Sequence, residues 1–237
     1  MDINKVIRQH KEMEEFFSGG FAVKGEPRST DSQDVAEQED MKEVALAKIA
    51  EEVRKCCCCG LGKTRRNAVP GEGSPDARIV FVGEAPGGDE DEQGRPFVGR
   101  AGQLLDKIIA AMGLRRNDVF ICNVLKCRPP ENRDPRPEEI VACIPFLERQ
   151  LEIIKPEIIV ALGAHAARTL LKRNDTIGQL RGRFLTYYTP GGYGPIKLMS
   201  TYHPSFLLRS YSEENRRKVW EDMQKVLKEL GLPIPKK

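Results

Sequence analysis

The chain has no long apolar run: its longest, such as Ile158 to Leu162, are strand-sized, far short of the roughly 20 residues that cross a bilayer as a helix. No membrane span is expected. Aromatic residues are scarce, at 6% with a single tryptophan, and the 40% hydrophobic and 31% charged content is that of a soluble globular protein. The Gly-rich stretch over 83–99 has no Gly-Lys-Ser or Gly-Lys-Thr and no Gly-x-Gly-x-x-Gly, so a nucleoside triphosphate is not the first ligand to consider. The N-terminal stretch MDINKVIRQHKEMEEFF is broken by charges, so neither a secretory signal nor a transit peptide is expected and the cytoplasm is the expected location. An even cysteine count is missing too. Seven cysteines, four of them consecutive at Cys56 to Cys59, do not make a secreted disulfide framework. In a reducing compartment such a cluster more often binds metal.

The net charge of +3 hides an asymmetry. Residues 1–55 carry 9 Lys/Arg against 13 Asp/Glu and the remainder 29 against 22, which is −4 before Cys56 and +7 after it. The 237 residues suit one α/β domain with an extension. The expected division is an N-terminal extension over 1–55, with helices over 3–17 and 41–55 joined by a flexible linker over about 19–40, and a catalytic domain over 56–237.

From Arg78 onward, β-branched runs alternate with amphipathic stretches. Strands are expected over 78–83, 118–124, 157–163 and 197–202. Helices are expected over about 99–112, 137–154, 164–173 and 213–230, with Pro137 suited to a first turn and Gly113 to a C-cap. Such alternation, with strands apolar throughout, implies a parallel sheet covered on both faces. Ligands of such sheets bind at the carboxyl ends of the strands.

Those ends carry the unusual residues. The first leads into Gly83-Glu84-Ala85-Pro86-Gly87 and then Glu90 and Arg95-Pro96-Phe97-Val98-Gly99, where glycines either make a tight connection or let backbone N–H groups approach a ligand. The second ends in Asn123, which either caps a turn or presents a carbonyl beside an amide, a match for the O4 and N3–H of a uracil ring. The fourth ends in Tyr202-His203-Pro204, and His203 is the one of three histidines at an expected strand end. His10 and His165 are expected to be structural or solvated. Cys56 and Cys59, two residues apart, with Cys127 and Cys143 supply four thiolates for an iron–sulfur cluster or a zinc ion. Cys57 and Cys58 are then bystanders and Cys122 a core residue.

Taken together and in order, Cys56-x-x-Cys59-x-Leu61, Gly83 to Gly87, Gly94 to Leu105, Asn123 to Pro130, Cys143 and His203 to Arg209 resemble the iron–sulfur uracil-DNA glycosylases of family 4. The likeness covers roughly three quarters of the chain. It implies a three-layer α/β/α sandwich around a four-stranded parallel sheet, a 4Fe-4S cluster on Cys56, Cys59, Cys127 and Cys143, and hydrolysis of the bond between uracil and deoxyribose in single- or double-stranded DNA by a monomer. It further implies that Phe97 stacks on the flipped base, Asn123 reads its edge, His203 contacts O2, and the turn of Gly83, Glu84 and Ala85 supplies backbone donors. Ala85 stands where better-known uracil glycosylases have an aspartate, so the water is left to backbone groups or to Glu84. By the same analogy Glu90 closes the C5 side against thymine. Phe206 or Leu207 is expected to wedge into the base stack, and Arg128, Arg133, Arg181, Arg183 and Arg209 to contact phosphates. The competing readings are a non-catalytic DNA-binding module with structural zinc, and an enzyme of free nucleotides.

Overall fold

The computed structural model describes residues 32–235, with side chains from residue 40 onward. The helix expected over 3–17 lies outside the described residues. Helix α1 runs over Ser32–Lys55, so its first nine residues occupy part of the stretch read as linker. No glycine or proline interrupts this segment, and its Ala, Glu, Gln and Lys are strong helix formers.

The remaining elements are β1 (Glu72–Gly73), β2 (Ile79–Gly83), α2 (Gly88–Gln93), α3 (Arg100–Ala111), β3 (Phe120–Asn123), α4 (Pro137–Ile154), β4 (Ile158–Leu162), α5 (Ala164–Leu171), α6 (Ile177–Leu180), β5 (Phe184–Tyr187), β6 (Ile196–Thr201), α7 (Pro204–Arg209) and α8 (Glu213–Glu229). The sheet has six strands in the order β1-β3-β2-β4-β6-β5, which corrects the expected four. The four inner strands are mutually parallel, and the short edges β1 and β5 pair antiparallel to β3 and β6. The two missed edges are short and carry exposed positions, so neither has the continuous apolar run that marks an inner strand.

Alternate residues of the inner strands feed two cores. Ile79, Phe81, Ile121, Val160 and Met199 pack with Leu105 and Ile109 of α3 and Met223 and Val226 of α8. Val80, Val82, Cys122, Ile159 and Leu198 pack with Leu147 and Leu151 of α4 and Ala166 and Leu170 of α5. Burial on both faces is what makes these strands apolar at every position. Ile49 and Val53 of α1 are buried against Phe146 and Ile153 of α4. No described helix is long and apolar enough to cross a membrane.

Candidate active site and cysteine centre

The carboxyl ends of β2, β3, β4 and β6 open into one cleft of about 530 Å³, lined among others by Glu84, Glu90, Phe97, Asn123, His165 and His203. Gly83 and Asn123 are register partners at the ends of β2 and β3. A Cβ at Gly83 would lie 2.3 Å from Asn123 Oδ1 and 2.6 Å from the Phe97 ring, so this position admits only glycine. Asn123 is 2% exposed, and its Oδ1 is buried with no hydrogen-bond partner among the described residues. An unsatisfied buried acceptor is costly in a folded protein; here it faces the cleft.

Phe97 forms the wall beside it. Its backbone is left-handed, with φ 50°, an uncommon state for a bulky residue. Arg116 holds it there by donating to the Phe97 and Pro96 carbonyls, while a Cβ on Gly102 would fall 1.9 Å from the Phe97 oxygen. Glu90 closes the same loop: its Oε1 accepts from the N–H groups of Val98 and Gly99, both at 2.9 Å, and its Oε2 from Gly87 at 3.0 Å. That carboxylate is committed to the backbone on either side of Phe97.

His203 caps α7, with Nδ1 accepting from the Ser205 N–H at 3.1 Å and 2.8 Å from the Ser205 hydroxyl. Its ring lies 5.7 Å from that of Phe97. Burial, with the nearby Arg209 charge, pushes its pKa down to about 4. The imidazole is therefore neutral at pH 7, and because Nδ1 accepts, the proton resides on Nε2 as a donor. Glu84 follows Gly83, and burial pushes its carboxyl up, opposed by His165 and reinforced by Asp134. Ligand atoms of Glu84, Asp134 and His165 lie within 4.8 Å of one another, close enough to share a cation. His165, which sequence reasoning set aside, thus lines the cleft. Its partner Asp134 is far away in the chain.

The other expected contacts divide. Phe206 lines the cleft and packs on Tyr202 at 4.9 Å. Leu207, its neighbour on the short α7, is 1% exposed and packs in the core with α3 and α8. Arg133 pairs with the buried Glu139, and Arg181 with Asp222 at 2.9 Å while lying over the Tyr202 ring. Arg181 is thereby turned into the domain, whereas Arg133, its side chain 32% exposed, stays at the lining of the cleft. Arg183 and Arg209 are exposed, and Arg128 flanks Gly88 beside the cleft, held by Asn132 at 2.8 Å.

A second cavity lies behind β3. Cys56, Cys58, Cys59, Cys127 and Cys143 line it, with Arg65 and Lys126. Four of these are the expected ligands; Cys58 is an addition at the lining though exposed, as Cys57 is, and Cys122 belongs to the core. Arg65 Nη1 donates to Cys127 Sγ at 3.0 Å and the Lys126 N–H to Cys143 Sγ at 3.1 Å. Burial pushes the Cys143 thiol up to about 11 and the Cys127 thiol in the same direction. Thiols gathered in this way ionise readily only around a cation, and N–H donors aimed at sulfur are the surroundings a metal-bound thiolate needs. The donor set fits a soft metal or an iron–sulfur group.

Residues 70–224 match the family model described as the uracil DNA glycosylase superfamily. The chain is 50% identical over 185 residues to a type-4 uracil-DNA glycosylase of Thermotoga maritima, covering 78% of this chain and 94% of that protein. It is 50% identical over 189 residues to one of Saccharolobus solfataricus, covering 77% and 85% respectively. A type-5 uracil-DNA glycosylase of Pyrobaculum aerophilum is more distant, at 35% identity over 154 residues, covering 58% of this chain and 65% of that one. With its strand-end residues and cysteines in the places described, the chain belongs to the uracil DNA glycosylase superfamily and, within it, to the type-4 uracil-DNA glycosylases.

Proposed function

We propose that the protein removes uracil from DNA by hydrolysing its N-glycosidic bond, leaving an abasic site for base-excision repair in the cytoplasm. The observation that carries this reading is the buried, unpartnered Oδ1 of Asn123 at the floor of the cleft. Uracil offers an N3–H donor to that oxygen and an O4 acceptor to the Asn123 amide. Cytosine presents the reverse pattern at the same two positions, so a fixed asparagine rejects it.

A base inside a duplex is out of reach of such a pocket, so the nucleotide must be extruded, with Phe97 stacking on the base face. As the bond breaks, negative charge grows on uracil and the sugar becomes cation-like. The Nε2–H of a neutral His203 then donates to O2 where that charge develops, a contact stronger in the transition state than in the ground state. Backbone donors at Glu84 and Ala85 complete the cradle. Ala85 has no proton-accepting group, so the Glu84 carboxylate, at the cleft lining beside the sugar's expected position, orients the water and faces the cationic carbon. Glu90 shapes the C5 side by fixing the loop around Phe97. Phe206 occupies the space left by the departing base, and Arg128, Arg183 and Arg209 meet phosphates.

Cys56, Cys59, Cys127 and Cys143 would hold a 4Fe-4S cluster, which when bound supplies a cross-link between the segment before Gly60, the loop after β3 and α4. The catalytic unit is taken to span 56–237, acting as a monomer. One gel assay tests the central reading: cleavable abasic sites form on uracil-containing oligonucleotides with the wild type, fall strongly with His203→Ala, and do not form where thymine or cytosine stands in place of the uracil. No excision by the wild type overturns it.

A further inference from the structure

Between Asn123, at the floor of the cleft, and Cys127, at the cysteine cavity, the chain spends only three residues, Val124, Leu125 and Lys126. Their main chain is pinned: Val124 N–H donates to Gly83 O at 2.9 Å, Leu125 N–H to Glu84 O at 3.0 Å, and Lys126 O accepts from Val69 at 2.7 Å. The Lys126 N–H goes to Cys143 Sγ. One short segment therefore touches both sites.

The Lys126 side chain is the anomaly. It is 1% exposed, and its ammonium donates to Asn123 O at 2.9 Å and Gln150 Oε1 at 2.7 Å, both neutral acceptors. Gln150 is itself buried and anchored on Pro70 O at 2.9 Å. No carboxylate pairs with Lys126 among the described residues. A cation taken out of water without an anion is among the costliest things a fold can bury. Burial pushes the Lys126 ammonium below its usual range, and what opposes this is negative charge on the sulfurs of Cys122 and Cys143. Cys122 sits in the apolar core, whereas Cys143 lines the cysteine cavity. At the same cavity Arg65 repeats the pattern: its partners are the Val53, Arg54 and Cys56 carbonyls and Cys127 Sγ, with no carboxylate among the described residues. Two cations without carboxylates thus flank one set of thiols, where a centre bound by four thiolates carries surplus negative charge.

We propose that Lys126 is the internal counter-ion of the cysteine-bound centre and, through its ammonium contact to the Asn123 carbonyl, the positioning residue that ties that centre to the base-reading end of β3. This rests on the cluster and pocket readings above. Lys126 touches neither base nor sugar; it acts through Asn123 on one side and through charge on the other.

The full-length wild type, Lys126→Met and Lys126→Gln are purified anaerobically. Iron per chain, circular dichroism, the reduction potential of the centre and the inhibition constant of free uracil are then read. Both variants are expected to show a more negative potential, because loss of a nearby positive charge disfavours an added electron. Lys126→Met is expected to bind uracil about tenfold more weakly, the order of one lost charged hydrogen bond, and Lys126→Gln less so, since its amide still donates to the Asn123 carbonyl. A wild-type potential and wild-type uracil affinity in a folded Lys126→Met overturn the proposal. If that variant does not fold, Lys126→Gln decides: a shifted potential sustains the counter-ion and an unchanged one overturns it. Failure of both to fold makes Lys126 a packing residue, against the proposal. An iron-free wild type overturns the cluster reading and this one with it. An iron-containing wild type that uracil does not inhibit overturns the pocket reading instead, and the potential still decides the counter-ion.

Discussion

The cleft and the cysteine cavity lie at the two ends of residues 123–127, yet they are prepared for their occupants in opposite ways. In the cleft the chain itself fixes almost every group: Glu90 is spent on three backbone N–H groups, Arg116 locks Phe97, and His203 is oriented by Ser205. Asn123 Oδ1 is left buried without a partner among the described residues. At the cysteine cavity the side chains oppose one another, with thiols pushed toward neutrality by burial and two basic side chains that have no carboxylate partner among the described residues. Catalytic donors must be rigid before the substrate arrives, because reorganisation during reaction would consume the advantage. A structural centre has no such need, and its guest can supply part of the folding energy.

The comparison breaks most readily at His203. His203→Ala is expected to slow single-turnover excision by about 10²–10³-fold with iron content unchanged; a loss of iron would show that the sites are not independent. Next is Gly83→Ala, whose new Cβ meets Asn123 and Phe97. Displacing Asn123 and Phe97 by such overpacking is expected to weaken uracil inhibition about tenfold, the equivalent of about 1.4 kcal/mol, and a wild-type inhibition constant would refute the fit. In contrast, Cys143→Ala is expected to lower the unfolding temperature by several degrees and to remove visible absorbance, while any residual fold still binds uracil.

Acid sharpens the contrast. His203 titrates near 4 in the folded chain rather than at the ordinary 6.5. As pH falls through that window the unfolded chain takes up a proton that the folded chain refuses, so stability declines. Catalysis should keep its neutral donor until close to pH 4. Comparing unfolding temperatures at pH 7.5 and 5 checks this: the wild type should lose more than His203→Ala. The smallest expected effect is at the rim. Arg209→Gln should weaken DNA binding and flatten its salt dependence, whereas Arg181→Gln, removing the partner of the buried Asp222, should act on stability instead.

Much of this was legible in the sequence, and the reasons are local. Inner strands buried on both faces leave an unbroken apolar trace, and α4 begins at Pro137 as its first-turn chemistry dictates. Gly83, Asn123 and His203 stand where those strands end. What was hidden depends on partners distant in the chain or on helix phase. Arg181 meets the buried Asp222, so one of five candidate phosphate contacts points inward, and Arg133 is tied to Glu139 at the cleft lining. Phe206 and Leu207 differ by one position on a helix of six residues, which is enough to send one to the cleft and the other to the core. Arg65 and His165 carry no motif; only folding brings them to sulfur and to Asp134.

The wall formed by Phe97 has one more implication, for how the protein can change over generations. It is held by two positions with no side chain, Gly83 in front and Gly102 behind. A site built around missing atoms is fragile to gain rather than loss: shortening a rim side chain leaves the slot its shape, while a single methyl at either glycine closes it. Drift in this protein should therefore be permissive around the rim and forbidding at the floor, with the narrowest tolerance where the sequence has least to show.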